Sequence, residues 1–182
     1  LNLMNPTINV MPEDLRKLPC IYADYEQVRN LVAFNINISR LDWDSFETSW
    51  DFTIHPLLSA KHELLADAYA SYKQIANERF AQLKANEEEL NRIFIDIYGL
   101  QDELTPEVED KDVTVRKADL QRDIKSLLSY AVGCMFGRYS PTYDGLAYAG
   151  GTWDDGKYNI YKPDADGIIP ICDDEYFEDD MM

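Results

Sequence analysis

The sequence is short of positive charge, with 17 Lys and Arg against 34 Asp and Glu and a formal net charge of −17 over 182 residues. Affinity for nucleic acid depends on Lys and Arg that displace counterions from phosphates, so this chain is not expected to bind DNA strongly by itself. Long hydrophobic runs are also lacking, since no stretch approaches the roughly 18 apolar residues that span a bilayer. We therefore expect no membrane segment and, without a signal peptide, a cytoplasmic location.

Cysteine is scarce as well. Cys20, Cys134 and Cys172 are far apart and odd in number, which favours reduced thiols buried as small hydrophobic side chains over a disulfide framework. The two histidines, His55 and His62, have no thiol beside them, so the sequence does not predict a zinc site.

No complete catalytic motif is present. The glycines at 145, 150 and 151 lack the strand, turn and helix that surround a nucleotide-binding loop. The stretch 164–167 lacks the terminal Glu and flanking helices of a calcium loop. Asn5-Pro6-Thr7 lacks the second Pro and the aromatic ring of the motif with which adenine methyltransferases hold an extruded base. We therefore assign no catalytic, cofactor-binding or metal-binding residue to this chain.

Helical periodicity is what the sequence does contain. A first helix is predicted from about Asp24 to 39–42. No Gly or Pro occurs from 57 to 98 and apolar side chains recur every three or four residues, which predicts one helix of about 40 residues that ends at Gly99. After an acidic loop, a second long helix is predicted from about Val115 to Tyr139, and its apolar second half is expected to be buried.

These elements predict a mainly α fold built on a long antiparallel, coiled-coil-like helical hairpin. A short helical piece near Pro12 precedes it, and the aromatic loop from Trp43 to Phe52 is expected to dock its rings on apolar surface. An extended, aromatic arm begins at Ser140, carries eleven acidic residues against two lysines, and includes a possible small hairpin turn at 155–156. The predicted divisions are 1–56, 57–139 for the hairpin, and 140–182 for the arm.

One basic cluster lies on the first half of the second predicted helix and consists of Arg116, Lys117, Arg122 and Lys125. It is the one group of residues in the sequence that could follow DNA phosphates. Ion pairing with acidic neighbours is the alternative interpretation.

Several long segments resemble one family in order along the chain. They are 41–52, 55–57, 85–94, 97–104, 130–139 and 173–180, and the opening Asn5-Pro6-Thr7 with Leu15 and Leu18-Pro19 continues the likeness. Together they cover most of the chain and resemble the PglX-like adenine-specific DNA methyltransferases of BREX phage-defence systems and their type II restriction-modification relatives.

This resemblance implies a parent protein that uses S-adenosylmethionine to methylate the exocyclic amine of a target adenine in DNA. It also implies that the present chain follows the cofactor-binding and Asn-Pro-Pro-aromatic motifs, so no catalytic residue is transferred to it and the segment alone is expected to be inactive, with no cofactor of its own. Leu1 is no natural initiator and the acidic end has no cap, so both ends are expected to be boundaries set within a longer chain.

Two functions remain open from the sequence. The first is a non-catalytic helical spacer that positions the methylase core and the DNA-recognition parts, with the upstream methylase domain as its partner and DNA reached through the parent. The second is an acidic interaction module that docks another defence-system protein or mimics DNA. Dimerisation through the 57–98 helix is a third, weaker possibility.

Overall fold

The computed structural model describes residues 12–21 and 25–163, and this part of the chain is mainly helical. The α-helices are α1 (Pro12–Leu15), α2 (Glu26–Trp43), α3 (Pro56–Ser59), α4 (Leu65–Tyr98) and α5 (Leu120–Met135), with short 3-10 turns at Asp110–Asp112 and Asp155–Lys157. No β-strand occurs in these described ranges, where one isolated bridge joins Ser140 and Tyr143. The predicted mainly α class is confirmed. The three-part division of the chain stays a prediction, and Asp24 and 164–182 lie outside the described residues.

Helix α4 is the longest element, with 34 residues and therefore a length of roughly 50 Å. It ends as predicted at Gly99, which adopts a left-handed conformation with φ of 64°. The amide of Leu100 donates to the carbonyl of Ile95 at 2.9 Å and so closes the last turn.

The predicted start of this helix near 57 is wrong, because the chain breaks at 60–64 between α3 and α4. Leu57 in α3 is only 2% exposed and packs with Tyr72 and Ala76 of α4. In one continuous helix Leu57 would lie about 22 Å from Tyr72 along the axis, too far for contact. Burial of Leu57 therefore requires the chain to fold back, although no Gly or Pro marks the break.

Helix α2 packs lengthwise against α4. Ile38 of α2 is buried with Phe80 and Leu83 of α4, and Tyr25 approaches Phe94 with ring centroids 6.4 Å apart. An amide pair, in which Asn86 is buried and Asn35 half-buried, connects the two helices between these contacts, since Asn86 Nδ2 donates to Asn35 Oδ1 at 2.7 Å. Because an unpaired amide in this position would be costly, the pair fixes the register of α2 on α4.

An extended segment, not a second long helix, runs back along α4. Asn91 donates to the carbonyl of Pro106 at 3.1 Å, Lys84 pairs with Asp110 at 2.7 Å, and Lys117 lies 4.3 Å from the centroid of the Phe80 ring. Residue numbers thus decrease along α4 as they increase along the returning segment. The return limb is antiparallel as expected, but the predicted hairpin of two long helices is not confirmed.

The second helix begins at Leu120, five residues later than predicted. The segment before it is extended, because this conformation buries both Val113 and Val115. Both are buried with Ile38, Phe80 and Leu83, while the residues between and after them are exposed. This period of two belongs to extended backbone and is incompatible with a helix. Asp119 then caps α5, accepting a hydrogen bond from the amide of Arg122 at 2.7 Å.

The prediction that the second half of this helix is buried is only partly correct. Tyr130 and Cys134 are buried, at 1% and 7% exposure. Leu128, Val132 and Phe136, which widen the apolar stripe, are 60%, 48% and 53% exposed. One face of α5 is therefore an apolar surface without cover in the part of the chain that the structure describes.

Like α5, the aromatic loop after α2 has both buried and exposed apolar side chains. Phe52 is buried with Tyr130 and Tyr139, at ring-centroid distances of 5.9 and 5.5 Å, as expected for a docked ring. Trp50 is 95% exposed and Trp43 55% exposed, so the loop is docked as expected through Phe52 but not through either tryptophan.

The described part of the arm, 140–163, returns to the helices. The Tyr158 hydroxyl donates to the carbonyl of Gly137 at 2.5 Å, and the Tyr158 ring stacks on Trp153 with centroids 4.6 Å apart. The predicted small hairpin is wrong, because Asp154 accepts from the amide of Gly156 and sets a 3-10 turn there. The carbonyl of Lys157 accepts side-chain hydroxyls from Ser140 and Thr142 in place of a cross-strand amide.

One of the two described cysteines is buried, as expected. Cys134 is a buried thiol, whereas Cys20 is exposed, and Cys172 lies outside the described residues. No helix among the described residues combines the length and apolar character that crossing a bilayer requires.

Candidate functional site

The basic residues singled out from the sequence do not form one helical face. Arg116 and Lys117 belong to the extended segment, where Arg116 places its guanidinium carbon 4.1 Å from the centroid of the Phe46 ring. Lys117 Nζ lies 2.6 Å from Asp110 Oδ2, and Lys84 Nζ lies 2.7 Å from the other oxygen of the same carboxylate. These two lysines lower the pKa of Asp110 to about 2, because both donate to its charged form.

Arg122 and Lys125 lie on α5. Arg122 pairs with Asp123 at 2.8 Å and also donates to the carbonyl of Lys117 at 2.8 Å, so its guanidinium holds the start of α5 against the extended segment. Lys125 is exposed and has no carboxylate partner within 4 Å among the described residues. Ion pairing thus occupies Lys117 and Arg122, and phosphate contact by the four residues stays a prediction.

Arg116 faces a groove of about 610 Å³ between the end of α2, the aromatic loop and the extended segment. The groove is also lined by Arg40, Trp43 and Trp50, and we call these four residues and the space between them the tryptophan groove. Neither arginine pairs with a carboxylate within 4 Å in the described part of the chain. Exposed indole rings beside guanidinium groups suit planar or anionic ligands.

Acidic residues restrict what the tryptophan groove can bind. Asp42, Asp44 and Asp51 also line it, so its carboxylates outnumber its two guanidinium groups. Burial raises the pKa of Asp42, although the backbone amide and charge of Arg116 act in the opposite direction. The groove is therefore not a strong phosphate site by charge alone.

A buried polar cluster lies behind the loop and consists of His55, Tyr72 and Asp123, which are 3%, 8% and 2% exposed. His55 Nδ1 accepts a hydrogen bond from the amide of Leu57 at 3.3 Å and so caps α3. Asp123 accepts from the amide of Asp119 at 2.8 Å and from Arg122 Nε at 2.9 Å. These hydrogen bonds are local, within the start of α3 and the start of α5, so the three side chains are brought together by packing around one small cavity.

Burial controls the ionisation of this cluster. It lowers the pKa of His55 to about 4, a change that the Asp123 charge opposes, and raises the pKa of Tyr72 to about 12. The cavity among these side chains has a volume of only about 10 Å³, the lower limit for one water molecule. A histidine, a carboxylate and a tyrosine this enclosed cannot reach a substrate, and their arrangement is structural.

No group of three or more His, Cys, Asp or Glu residues suited to a metal ion occurs in the ranges that the structure describes. The two stretches that were compared above with an adenine-binding motif and a calcium loop, 5–7 and 164–167, lie outside those ranges. Sequence reasoning missed Arg40, Trp43 and Trp50 as residues of one groove. Arg40 and Trp43 are three residues apart and share a face of α2, but the predicted helix ended at 39–42 and left Trp43 in the loop, so this signal was missed.

Comparison with known proteins gives a clear relationship. No family model matches the chain. The chain is 51% identical over 185 aligned residues to the adenine-specific methyltransferase PglX of Lacticaseibacillus casei (strain Zhang), covering 99% of this chain and 15% of that protein. It is 34% identical over 202 aligned residues to the adenine-specific methyltransferase BrxX of Escherichia coli O9:H4 (strain HS), covering 99% of this chain and 16% of that protein. The resemblance predicted from the sequence is confirmed: the chain is a homologue of one segment of the PglX-like adenine-specific methyltransferases.

Proposed function

We propose that this chain is a non-catalytic spacer of an adenine-specific DNA methyltransferase in a phage-defence system, positioning the methylase core relative to the DNA-recognition parts. The observation that carries the proposal is the α4 framework, along which α2, α3 and the returning extended segment are all packed. Positioning requires rigidity, because a small displacement of a reacting group greatly lowers the rate. Three buried clusters and the Asn35–Asn86 pair supply it.

The proposed parent activity is transfer of a methyl group from S-adenosylmethionine to a target adenine, with the cofactor held outside this segment. The test is isothermal titration of S-adenosylmethionine into the isolated 182-residue chain and into the full-length protein, together with a methylation assay of each. Binding and methylation by the full-length protein alone would support the spacer. Micromolar cofactor binding by the isolated chain would overturn it.

An acidic interaction module is the second candidate, and one observation favours it. Trp50 of the aromatic loop is 95% exposed, and tryptophan is a frequent anchor at protein interfaces. A gel-shift titration of duplex DNA at low salt separates the two proposals. Weak, salt-sensitive binding that falls in Arg40→Gln and Arg116→Gln supports a DNA-facing spacer, whereas no DNA binding together with capture of a defence-system protein by the Trp50 loop supports the module.

A further inference from the structure

The exposed side of α5 is an apolar surface without a partner in the described residues. Leu120, Leu128, Val132 and Phe136 are 57%, 60%, 48% and 53% exposed, and the last three follow one another at intervals of four. Residues four apart lie above one another on a helix, so these three side chains form a continuous row. We call this row, with Leu120 at its N-terminal end, the α5 face.

The opposite side of α5 already packs against other parts of the chain, so the exposure of the α5 face does not result from poor packing of the whole helix. Tyr130 and Cys134 are buried with Phe52 and Tyr139, and Ile124 and Leu127 pack on Leu57 and Tyr72. A helix that is apolar on both sides is normally enclosed on both. The α5 face therefore has the composition of an internal surface whose cover lies elsewhere.

We propose that the α5 face is covered by another segment of the same polypeptide, outside residues 1–182, and this rests on the proposed function as part of a methyltransferase. The matched relatives are far longer, since the aligned region is 15% of one and 16% of the other. If the full-length protein resembles them in length, it contains enough further chain to provide the cover, at the high effective concentration that covalent linkage gives.

A second copy of the chain fits the α5 face less well. A large apolar side chain offers at most about 200 Å², so four of them at half exposure present roughly 400 Å². A stable dimer buries about 800 Å² on each partner. Two copies would also each carry a net charge of −17 and repel one another. A covalently linked segment needs neither the larger area nor compensation for this repulsion.

The rim of the α5 face indicates what the covering segment is like. Lys125 and Gln121 are exposed beside the N-terminal half of the row, while the C-terminal half is bordered by Ala131 and Ser129. An amphipathic helix fits this pattern, with apolar residues every three or four positions against Leu128 to Phe136 and a carboxylate opposite Lys125.

The experiment is hydroxyl-radical footprinting of the α5 face in the isolated 182-residue chain and in the full-length protein, at two concentrations of each. We expect oxidation of Leu128, Val132 and Phe136 to fall at least threefold in the full-length protein. Trp50, in the aromatic loop, is labelled in parallel as an exposed site outside the α5 face. Equal labelling of the α5 face in both proteins would overturn the proposal.

Two further results would also contradict it. Protection in the isolated chain that increases with concentration would assign the α5 face to a second copy. Protection in the isolated chain at every concentration would assign the cover to a segment within 1–182. As a second measurement, Leu128→Gln should lower the thermal midpoint of the full-length protein by several degrees and leave that of the isolated chain unchanged, with Leu104→Gln, a loop residue 52% exposed, as the matched control. Cofactor binding by the full-length protein tests the proposed function separately.

Discussion

The buried imidazole of His55 predicts how the stability of the chain depends on pH. The pKa of His55 is lowered from 6.5 to about 4 in the folded protein, because burial disfavours the charged ring. Well above pH 6.5 the ring is neutral in both folded and unfolded chains and contributes no pH dependence. As the pH falls from 6.5 towards 4, the unfolded chain binds a proton that the folded chain does not, so folding becomes less favourable.

The size of this effect follows from the shift. A difference of about 2.5 pKa units corresponds to about 3 kcal/mol at most, and about 2 kcal/mol of it is lost by pH 5. The loss is complete once the pH is below about 4, where both states bind the proton. The Asp123 carboxylate faces the ring and favours its charged form, which makes the loss smaller than burial alone would give.

Urea denaturation of the chain at pH 7.5, 6 and 5 measures the effect as a change in unfolding free energy. The variant His55→Asn keeps an N-cap oxygen for the amide of Leu57 but cannot titrate, so its stability should be nearly constant across this range. His62→Asn, at an exposed histidine, is the matched control and should behave like the wild type. An equally steep pH dependence in His55→Asn would refute this account of the buried ring.

Three further substitutions test other parts of the fold. Leu83→Ala, at a side chain 1% exposed between α2 and the extended segment, should lower the unfolding free energy by about 3 kcal/mol in urea denaturation. Gly137→Ala should lower the thermal midpoint, because Gly137 has φ of 76° and a Cβ there would lie 2.8 Å from Trp153; an unchanged midpoint would contradict this. Asp110→Asn should release Lys84 and Lys117, giving NMR shift changes at 113–117 that high salt reproduces in the wild type.

The helical part of the fold could be predicted where the signal was local. The end of α4 followed from Gly99, because a left-handed conformation is a property of the residue itself. The start of α4 could not be predicted, because the break before Leu65 results from burial of Leu57 against residues 15 and 19 positions later. Helix propensity alone is too weak to resist such a contact.

The second predicted helix illustrates the same limit. Val113 and Val115 have the spacing of a strand, yet two residues are too few to distinguish period two from a helical stripe. Their burial against two helices, α2 and α4, decides the conformation. The exposure of the α5 face was unpredictable for a related reason, since periodicity shows that a surface is apolar and not whether its cover lies within this chain.

The sequence predicted a basic cluster, but it did not predict how those residues are arranged in the structure. Arg116, Lys117, Arg122 and Lys125 are close in sequence, but the extended backbone at 113–119 separates the first two from the helical pair. The tryptophan groove combines residues from the end of α2, the aromatic loop and the extended segment. Tertiary folding alone brings these together, and no single stretch of sequence carries their spacing.

In the proposed function this chain positions a methylase core without taking part in its chemistry. The most direct measurement is titration of S-adenosylmethionine into the isolated chain and the full-length protein under the same conditions. A non-catalytic spacer should give no binding heat as the isolated chain, whereas the full-length protein should show saturable binding and adenine methylation. Saturable micromolar binding by the isolated chain would contradict the claim.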